Sequence, residues 1–355
     1  MITFMKEYIK LFVVPAVLSF ILVPLVKQIG WKLEVYAQEN SRTVHHGKIV
    51  RIGGVAIFLA FNIAMALTFK ADRTINGILC GGIVIFATGL IDDMIDMRPK
   101  LKLLCQCIAA LIAILVGGIS LDVIYLPLGI TIDFGVLSFI ITFFWIVGVT
   151  NAINLIDGLD GLSSGICMIV LTTVSILAFM MKREDVFTMC VLLVGSIAGF
   201  WYFNFHPASI FMGDCGALYL GYMLACLSLL GFKTATVITL GFPILVLFVP
   251  ISDTLLAIVR RKLKGESFDT ADKEHMHHIL MFKLHLGHKN AVLTLYAVTA
   301  AFSLTALAFY YSHKIGALLL LILLIIFDLF IEYTGMLNPK YRPLLKLIDK
   351  LTETK

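Results

Sequence analysis

Three carboxylates within five residues, Asp92-Asp93-Met94-Ile95-Asp96, close an apolar run that ends Gly89-Leu90-Ile91. Carboxylates this near one another repel unless a cation or a proton intervenes. Mg2+ is hard and oxygen-seeking, and commonly joins one or two carboxylates to phosphate oxygens. Asp92, Asp93 and Asp96 therefore read as part of a metal–phosphate site, with Asp96 one helical turn on and sharing a face with Asp92 or Asp93. The plainer reading is a solvated helix end whose charges only stop a span. A second cluster is Asn151-Ala152-Ile153-Asn154-Leu155-Ile156-Asp157-Gly158-Leu159-Asp160-Gly161. Asn154, Asp157 and Asp160 recur every three residues, which a helix would align on one side. Gly158 and Gly161 let backbone or ligand approach closely. The alternative is a polar, glycine-bearing turn between two spans.

Two further clusters carry the opposite end of such a chemistry. Asn204-Phe205-His206-Pro207 leads to Phe211-Met212-Gly213-Asp214-Cys215-Gly216. Asp214 opens an apolar run, where a carboxylate suits either a metal or the positive end of a helix dipole. Phe211 is placed to stack on a base or simply to pack. Arg260-Arg261-Lys262 precedes Asp272-Lys273-Glu274-His275-Met276-His277-His278. Three histidines in four residues beside three cations suit a phosphate clamp, or a solvated basic loop. A helix would put His275 and His278 on one face and His277 elsewhere. The spacing is not that of zinc proteases. The segment Arg42-Thr43-Val44-His45-His46-Gly47-Lys48, followed by Gly53-Gly54, is basic enough to meet an anionic head group, or to anchor a span.

These clusters need elements to hold them. The chain has 355 residues, 60% hydrophobic and 14% charged, against roughly 25% charged in a soluble domain, so the bilayer is its natural solvent. About 20 apolar residues make a span. Candidate spans lie near 8–29, 52–69, 75–91, 101–118, 134–150, 161–181, 186–202, 214–232, 234–259, 290–311 and 316–333. The expected fold is an all-α polytopic membrane protein with about eleven transmembrane helices. Segment 119–133, with Pro127, reads as a short extracytoplasmic hairpin. The first apolar run carries no cleavage pattern and is expected to stay as a span. With the N-terminus outside, 20 basic residues fall on the cytoplasmic side and 8 opposite. The positive-inside rule thus favours an extracytoplasmic N-terminus and a cytoplasmic C-terminus. The seven cysteines lie almost all in apolar runs and suggest no disulfide framework. One membrane domain over 1–355 is expected, with active-site loops near 30–51, 92–100, 151–161, 203–214 and 260–289. Their joint placement on one face points to phosphoryl chemistry on a membrane-bound substrate.

The set Asp92-Asp93-x-x-Asp96, Asn154-x-x-Asp157-Gly158-Leu159-Asp160-Gly161, Phe211-Met212-Gly213-Asp214 and His275-x-His277-His278, in this order, resembles the polyprenyl-phosphate N-acetylhexosamine-1-phosphate transferases over nearly the whole chain. The resemblance implies transfer of N-acetylglucosamine-1-phosphate from UDP-N-acetylglucosamine to undecaprenyl phosphate, with release of UMP. It implies Mg2+, with Mn2+ as a substitute. Asp214 matches the metal ligand, with Asp157 beside it. Asp92 and Asp93 match the aspartate pair that acts on the lipid phosphate or assists the metal, Asp92 as base. Asn154, Asp157 and Asp160 match the loop that contacts nucleotide and sugar phosphate. Asn204 and Phe211 match uridine-side positions. His275 matches a catalytic position, and His277, His278 and Arg261 match groups that hold the diphosphate. The His-x-His-His form, the eleventh span and the tail resemble the branch that starts teichoic acid or O-antigen. The implied setting is a multi-pass protein of the cytoplasmic membrane with its active site facing the cytoplasm. Its partners are the two substrates and the bilayer, with no nucleic acid; a homodimer is allowed by the resemblance. Direct attack of lipid phosphate on the β-phosphorus is favoured, with a covalent route through an aspartate left open.

Two other classes fit part of the pattern. An intramembrane prenyltransferase would use Asp92-Asp93-x-x-Asp96 for Mg2+ and diphosphate, but leaves the histidines and Phe211-Met212-Gly213-Asp214 without a task. A cation-coupled transporter would put carboxylates near the bilayer midplane. Asp253 comes nearest to that, while Asp328 and Glu332 read as structural or snorkelling residues near the inner boundary.

Overall fold

A computed structural model describes residues 2–37, 47–68, 72–125, 131–232, 241–265, 274–337 and 342–353. Arg42, His45 and His46 of the first loop, Pro127, and Asp272 and Lys273 ahead of the histidines lie outside these residues. The chain divides into two compact units, Met1–Ile244 and Leu245–Lys355.

In the first unit, α1 (Ile2–Lys32) leads through a two-residue ribbon, β1 (Tyr36–Ala37) with β2 (Ile49–Val50), to α2 (Gly54–Thr68) and α3 (Arg73–Ile95). Asp72 caps α3 by accepting the Ile75 N–H at 2.8 Å. Pro99 opens α4 (Pro99–Leu115) at the position where a missing N–H costs nothing. Within segment 119–133, β3 (Val123–Tyr125) pairs antiparallel with β4 (Thr131–Asp133), and 126–130 lie outside the described residues. Then follow α5 (Leu137–Ile156), α6 (Leu162–Met180), α7 (Glu184–Asn204) and α8 (Gly213–Phe232), with α9 (Gly241–Val246) at the unit boundary.

α8 is the hub of this unit. It packs along α3 and α5, while α1 and α6 pack along α7. From Cys215 to Leu230 nearly every side chain of α8 is buried. α1 instead exposes Phe12, Val13, Val17 and Ile21, which lipid would cover. The second unit holds α10 (Phe248–Lys264), a short α11 (Met276–His278) continued as a π-helical turn over Ile279–Lys283, α12 (Gly287–Tyr311), α13 (His313–Thr334) and α14 (Pro343–Glu353). Phe248 stacks on Phe302 at 3.9 Å and meets the edge of Phe327 in its core.

Each of the eleven apolar segments falls on a helix, the ninth on the pair α9 and α10. Eight helices among the described residues are long and apolar enough to cross a membrane, so the molecule is an all-helical, multi-pass membrane protein with two small ribbons. α2, α4 and α10 are shorter, at 15, 17 and 17 residues.

Candidate active site

Four helix segments of the first unit converge on one ammonium group. Lys102, in the first turn of α4, reaches Asp92 Oδ2 on α3 and Asp214 Oδ2 on α8, both at 2.9 Å, and Asn154 Oδ1 on α5 at 3.4 Å. Asn154 Nδ2 donates to the other Asp214 oxygen at 2.5 Å, and Asp92 Oδ1 accepts the Met97 N–H at 2.7 Å. The structure thus joins Asp92, Asn154 and Asp214, three expected site residues, through a lysine that is not among the expected ones. Lys102 stands at the entrance of α4 just after Arg98 and Lys100, so its sequence context does not separate it from an ordinary basic flank.

Asp93 has a different task from its neighbour. It is 3% exposed, and its two oxygens accept the backbone N–H groups of Asp214 at 2.9 Å and Cys215 at 3.0 Å. Those N–H groups belong to the first turn of α8, which has no intrahelical acceptor for them. Asp93 therefore caps α8 from 121 residues away in sequence and fixes the helix end that carries Asp214. The close fit rests on Gly213, whose φ is +73° and whose missing Cβ leaves room for the Arg51 carbonyl and the Asp93 carboxylate. Arg51 completes the clasp: its guanidinium donates to the Asp93 carbonyl at 3.0 and 2.7 Å and to Asp96 at 2.8 Å. The Gly53 and Gly54 N–H groups bond the carbonyls of Phe211 and Met212. Part of the basic first loop is thus a brace for the α8 entrance. Lys48, expected at a head group, lies over the Tyr36 ring and donates to its hydroxyl at 3.1 Å.

Helical periodicity misplaced two acids. Asp96 does not continue the α3 face; it caps the helix in the left-handed region, φ 49°, and its side chain is exposed beside Arg51. α5 ends at Ile156, so Asn154, Asp157 and Asp160 do not form one row. Gly161, at φ 76°, starts α6 instead. Asp160 accepts the Ala208 N–H at 3.1 Å and pairs with His206 at 2.8 Å, tying this turn to the one before α8. Asn204 is buried, with its amide engaged by the Ser164 hydroxyl and the Ile210 carbonyl. The Phe211 ring is half-buried. The Asp157 carboxyl is pushed well above the ordinary carboxylate range by burial, then by the charges of Asp214, Asp93 and Asp160. The single charge of Lys102 is shared by two carboxylates, those of Asp92 and Asp214. Carboxylate oxygens of this kind suit a hard divalent cation.

In the second unit the histidine segment is held by an acid on α10. Asp253, 1% exposed, accepts from His275 Nδ1 at 2.7 Å and from the Met276 N–H at 2.8 Å. His275 lies just before α11 rather than within it. Its ring is parallel to that of His277 at 5.9 Å, and His277 lies 4.4 Å from His278. The expected helical split of His275 and His278 from His277 is therefore not seen. His277 is 3% exposed and its Nδ1 has no hydrogen-bond partner among the described residues. Burial, then neighbouring His278, push its pKa down to about 3, so it is a neutral ring near pH 7. Arg260 is 1% exposed and pairs with Glu274 at 3.0 Å, while the adjacent Arg261 is half-buried. Asp253 is thus a positioning residue. Asp253→Asn removes a charged acceptor and weakens the segment by about 1–3 kcal/mol, so amide exchange at Met276 and Ile279 is expected to quicken roughly ten- to hundredfold. Unchanged exchange at both amides would remove Asp253 from that role.

Residues 75–232 match the family described as "Glycosyl transferase family 4". Over 346 residues, 96% of this chain and 96% of the relative, the chain is 36% identical to the "Probable undecaprenyl-phosphate N-acetylglucosaminyl 1-phosphate transferase" of Bacillus subtilis (strain 168). It is 34% identical to the "Decaprenyl-phosphate N-acetylglucosaminephosphotransferase" of Mycobacterium leprae (strain TN), covering 86% of this chain and 85% of that protein. It is also 34% identical to the "Phospho-N-acetylmuramoyl-pentapeptide-transferase" of Streptococcus suis (strain 05ZYH33), over 61% and 68% of the two chains.

Proposed function

This chain belongs to glycosyl transferase family 4, the polyprenyl-phosphate N-acetylhexosamine-1-phosphate transferases, and we propose that it transfers N-acetylglucosamine-1-phosphate from UDP-N-acetylglucosamine to undecaprenyl phosphate. The products are undecaprenyl-diphosphate-N-acetylglucosamine and UMP. The observation that carries the reading is the ammonium of Lys102 held between Asp92, Asp214 and Asn154, a charged centre built by helices of a membrane protein.

An oxygen of the lipid phosphate attacks the β-phosphorus of the UDP-sugar, the bond to the bridging oxygen breaks, and that oxygen leaves on UMP. A phosphate monoester has a second pKa near 6, so the lipid phosphate is largely dianionic at pH 7 and direct attack requires no base. Asp92 is then the acid that holds Lys102, and Asp93 the one that places Asp214. Lys102 offsets charge on the transferring phosphoryl group, where a preorganised cation in a dry site has its largest effect. Asp214 and Asp157 would be the residues to hold Mg2+, which would add charge neutralisation at the transferring phosphoryl group. His275, fixed by Asp253, together with His277, His278 and Arg261, takes the diphosphate-side role that the motif implies. Asp160, through His206 and Ala208, and Asn204, through Ser164, shape the turns that present Phe211 to the uridine.

The protein lies in the cytoplasmic membrane with eleven spans, N-terminus outside and the reaction on the cytoplasmic side, where UDP-sugars are. The support is the 20-to-8 division of basic residues and the helix found at every apolar segment. Its product opens the assembly of a cell-surface polymer.

Purified protein with undecaprenyl phosphate, UDP-N-acetylglucosamine and Mg2+ is expected to release UMP. Omission of lipid should abolish release, and Asp214→Asn or omission of metal should lower the rate by about 10²–10³-fold. UMP release with another UDP-sugar alone would move the donor; folded protein that releases none from any UDP-sugar would overturn the reading.

A further inference from the structure

Among the described residues, little covers the outer part of the last helix, α14. Its sequence is Pro343-Leu344-Leu345-Lys346-Leu347-Ile348-Asp349-Lys350-Leu351-Thr352-Glu353. Leu344, Leu347, Ile348 and Leu351 recur at the spacing of one helical stripe, and Lys346, Asp349, Lys350 and Glu353 fall opposite. Leu344 and Leu345 are half-buried, but beyond them Lys346, Leu347, Asp349, Lys350 and Thr352 are all exposed, Leu347 by 54%.

The start of α14 is pinned. Glu332, in the last turn of α13, is 2% exposed, and its two oxygens accept the N–H groups of Leu344 at 3.0 Å and Leu345 at 2.8 Å. Pro343 stands at the first helical position, where no N–H is missed. Two of the free donors at the α14 N-terminus are thus satisfied by the end of α13. α13 is the most lipid-like helix in the chain: Ile315, Leu318, Leu321, Ile322 and Ile326 are exposed along it, and Tyr333 is 66% exposed at its end. An exposed tyrosine at a span end marks the headgroup level. The Glu332 clasp therefore fixes α14 at the depth where hydrocarbon gives way to water, with Arg342 and Lys346 exposed toward anionic lipid.

We propose that α14 lies in the lipid headgroup layer at the membrane face where α13 ends, with Leu347 among the upper acyl chains and Lys346 level with the lipid phosphates. The same stripe on a second copy of the chain is the weaker occupant. One face of an eleven-residue helix, about 16 Å long and about 10 Å wide, offers on the order of 160 Å², well short of the roughly 800 Å² per partner of a stable protein interface. Lipid requires no such area, because the span already holds the helix beside it.

The test reconstitutes the full-length protein in phosphatidylethanolamine–phosphatidylglycerol vesicles, with and without bromine on the upper acyl chains. Leu347→Trp and Lys346→Trp are compared after subtraction of the parent's emission, each variant first shown to melt with the parent. In the lipid arrangement, Leu347→Trp emission is blue-shifted and quenched about twofold or more by bromine, while Lys346→Trp is red-shifted and little quenched, as expected for a stripe buried about 5–10 Å into the boundary. Equal quenching of the two variants, or none of either, overturns the proposal. Blue-shifted but unquenched Leu347→Trp emission also overturns it, since protein rather than lipid would then cover the stripe.

Discussion

Lys102→Met is expected to lower UMP release by about 10²–10³-fold, the loss typical of removing one preorganised donor from a site of developing charge. Methionine keeps the length and apolar stem of lysine, so the first turn of α4 should pack as before. What disappears is the ammonium shared by Asp92 and Asp214 at 2.9 Å each. The side chains of Lys102 and Asp92 are 17% and 10% exposed, while Asp214 is 31% exposed. Breaking a fully buried pair costs about 3–5 kcal/mol, and the partial exposure of Asp214 makes the cost here smaller. The variant should therefore fold with a lowered melting temperature.

The same substitution has a second readout that activity does not supply. With the internal cation gone, the two carboxylates have more to gain from a divalent ion, so added Mg2+ should raise the melting temperature of Lys102→Met more than that of the parent. Lys102→Arg keeps the charge but replaces a compact ammonium by a planar fork, and should recover part of the stability and little of the rate. Activity of Lys102→Met within threefold of the parent, measured as UMP release, would exclude Lys102 from the chemistry.

What was legible in the sequence divides along a physical line. Apolar segments long enough to span are read from composition, and each has its helix. Asp92 and Asp214 were legible because an apolar chain seldom places carboxylates at span ends without a use for them. Asp96 and Asp160 were misread because a three-residue period was carried past the points where the helices stop. The stop after Asn154 depends on the turn through Gly158 and Gly161, and that after Asp93 on a left-handed cap at Asp96. Lys102 and Asp253 were hidden for a simpler reason. Lys102 follows Arg98 and Lys100 as one of three clustered cations and Asp253 stands alone in an apolar run, and the meaning of each lies in a partner distant in sequence, which one-dimensional spacing does not reveal. The amphipathic pattern of α14 was present in the sequence, but the Glu332 clasp that fixes its start was not.

Asp93 gives the sharpest separation between a role inferred from a motif and one inferred from geometry. As a proton acceptor or metal ligand, it would lose its function equally in Asp93→Asn and Asp93→Ala, and the fold would be little affected. As the cap of α8, it behaves otherwise. Asp93→Ala leaves two buried N–H groups, those of Asp214 and Cys215, without acceptors. Loss of a cap costs about 1 kcal/mol, and stranding buried donors adds about 1–3 kcal/mol. A clear fall in melting temperature is expected, together with a fall in UMP release of about 10²-fold, because misplacing a reacting group by about 1 Å has that effect. Asparagine keeps one acceptor oxygen and is itself a favoured capping residue, so Asp93→Asn should melt between alanine and the parent and retain more activity than alanine. The Arg51 guanidinium bonds the Asp93 backbone carbonyl, a contact that both substitutions preserve, so the difference between them reports on the carboxylate alone. Equal inactivity of the two variants at the parent's melting temperature would return Asp93 to the reacting centre; the graded order would place it behind Asp214, as the residue that holds the helix end in register.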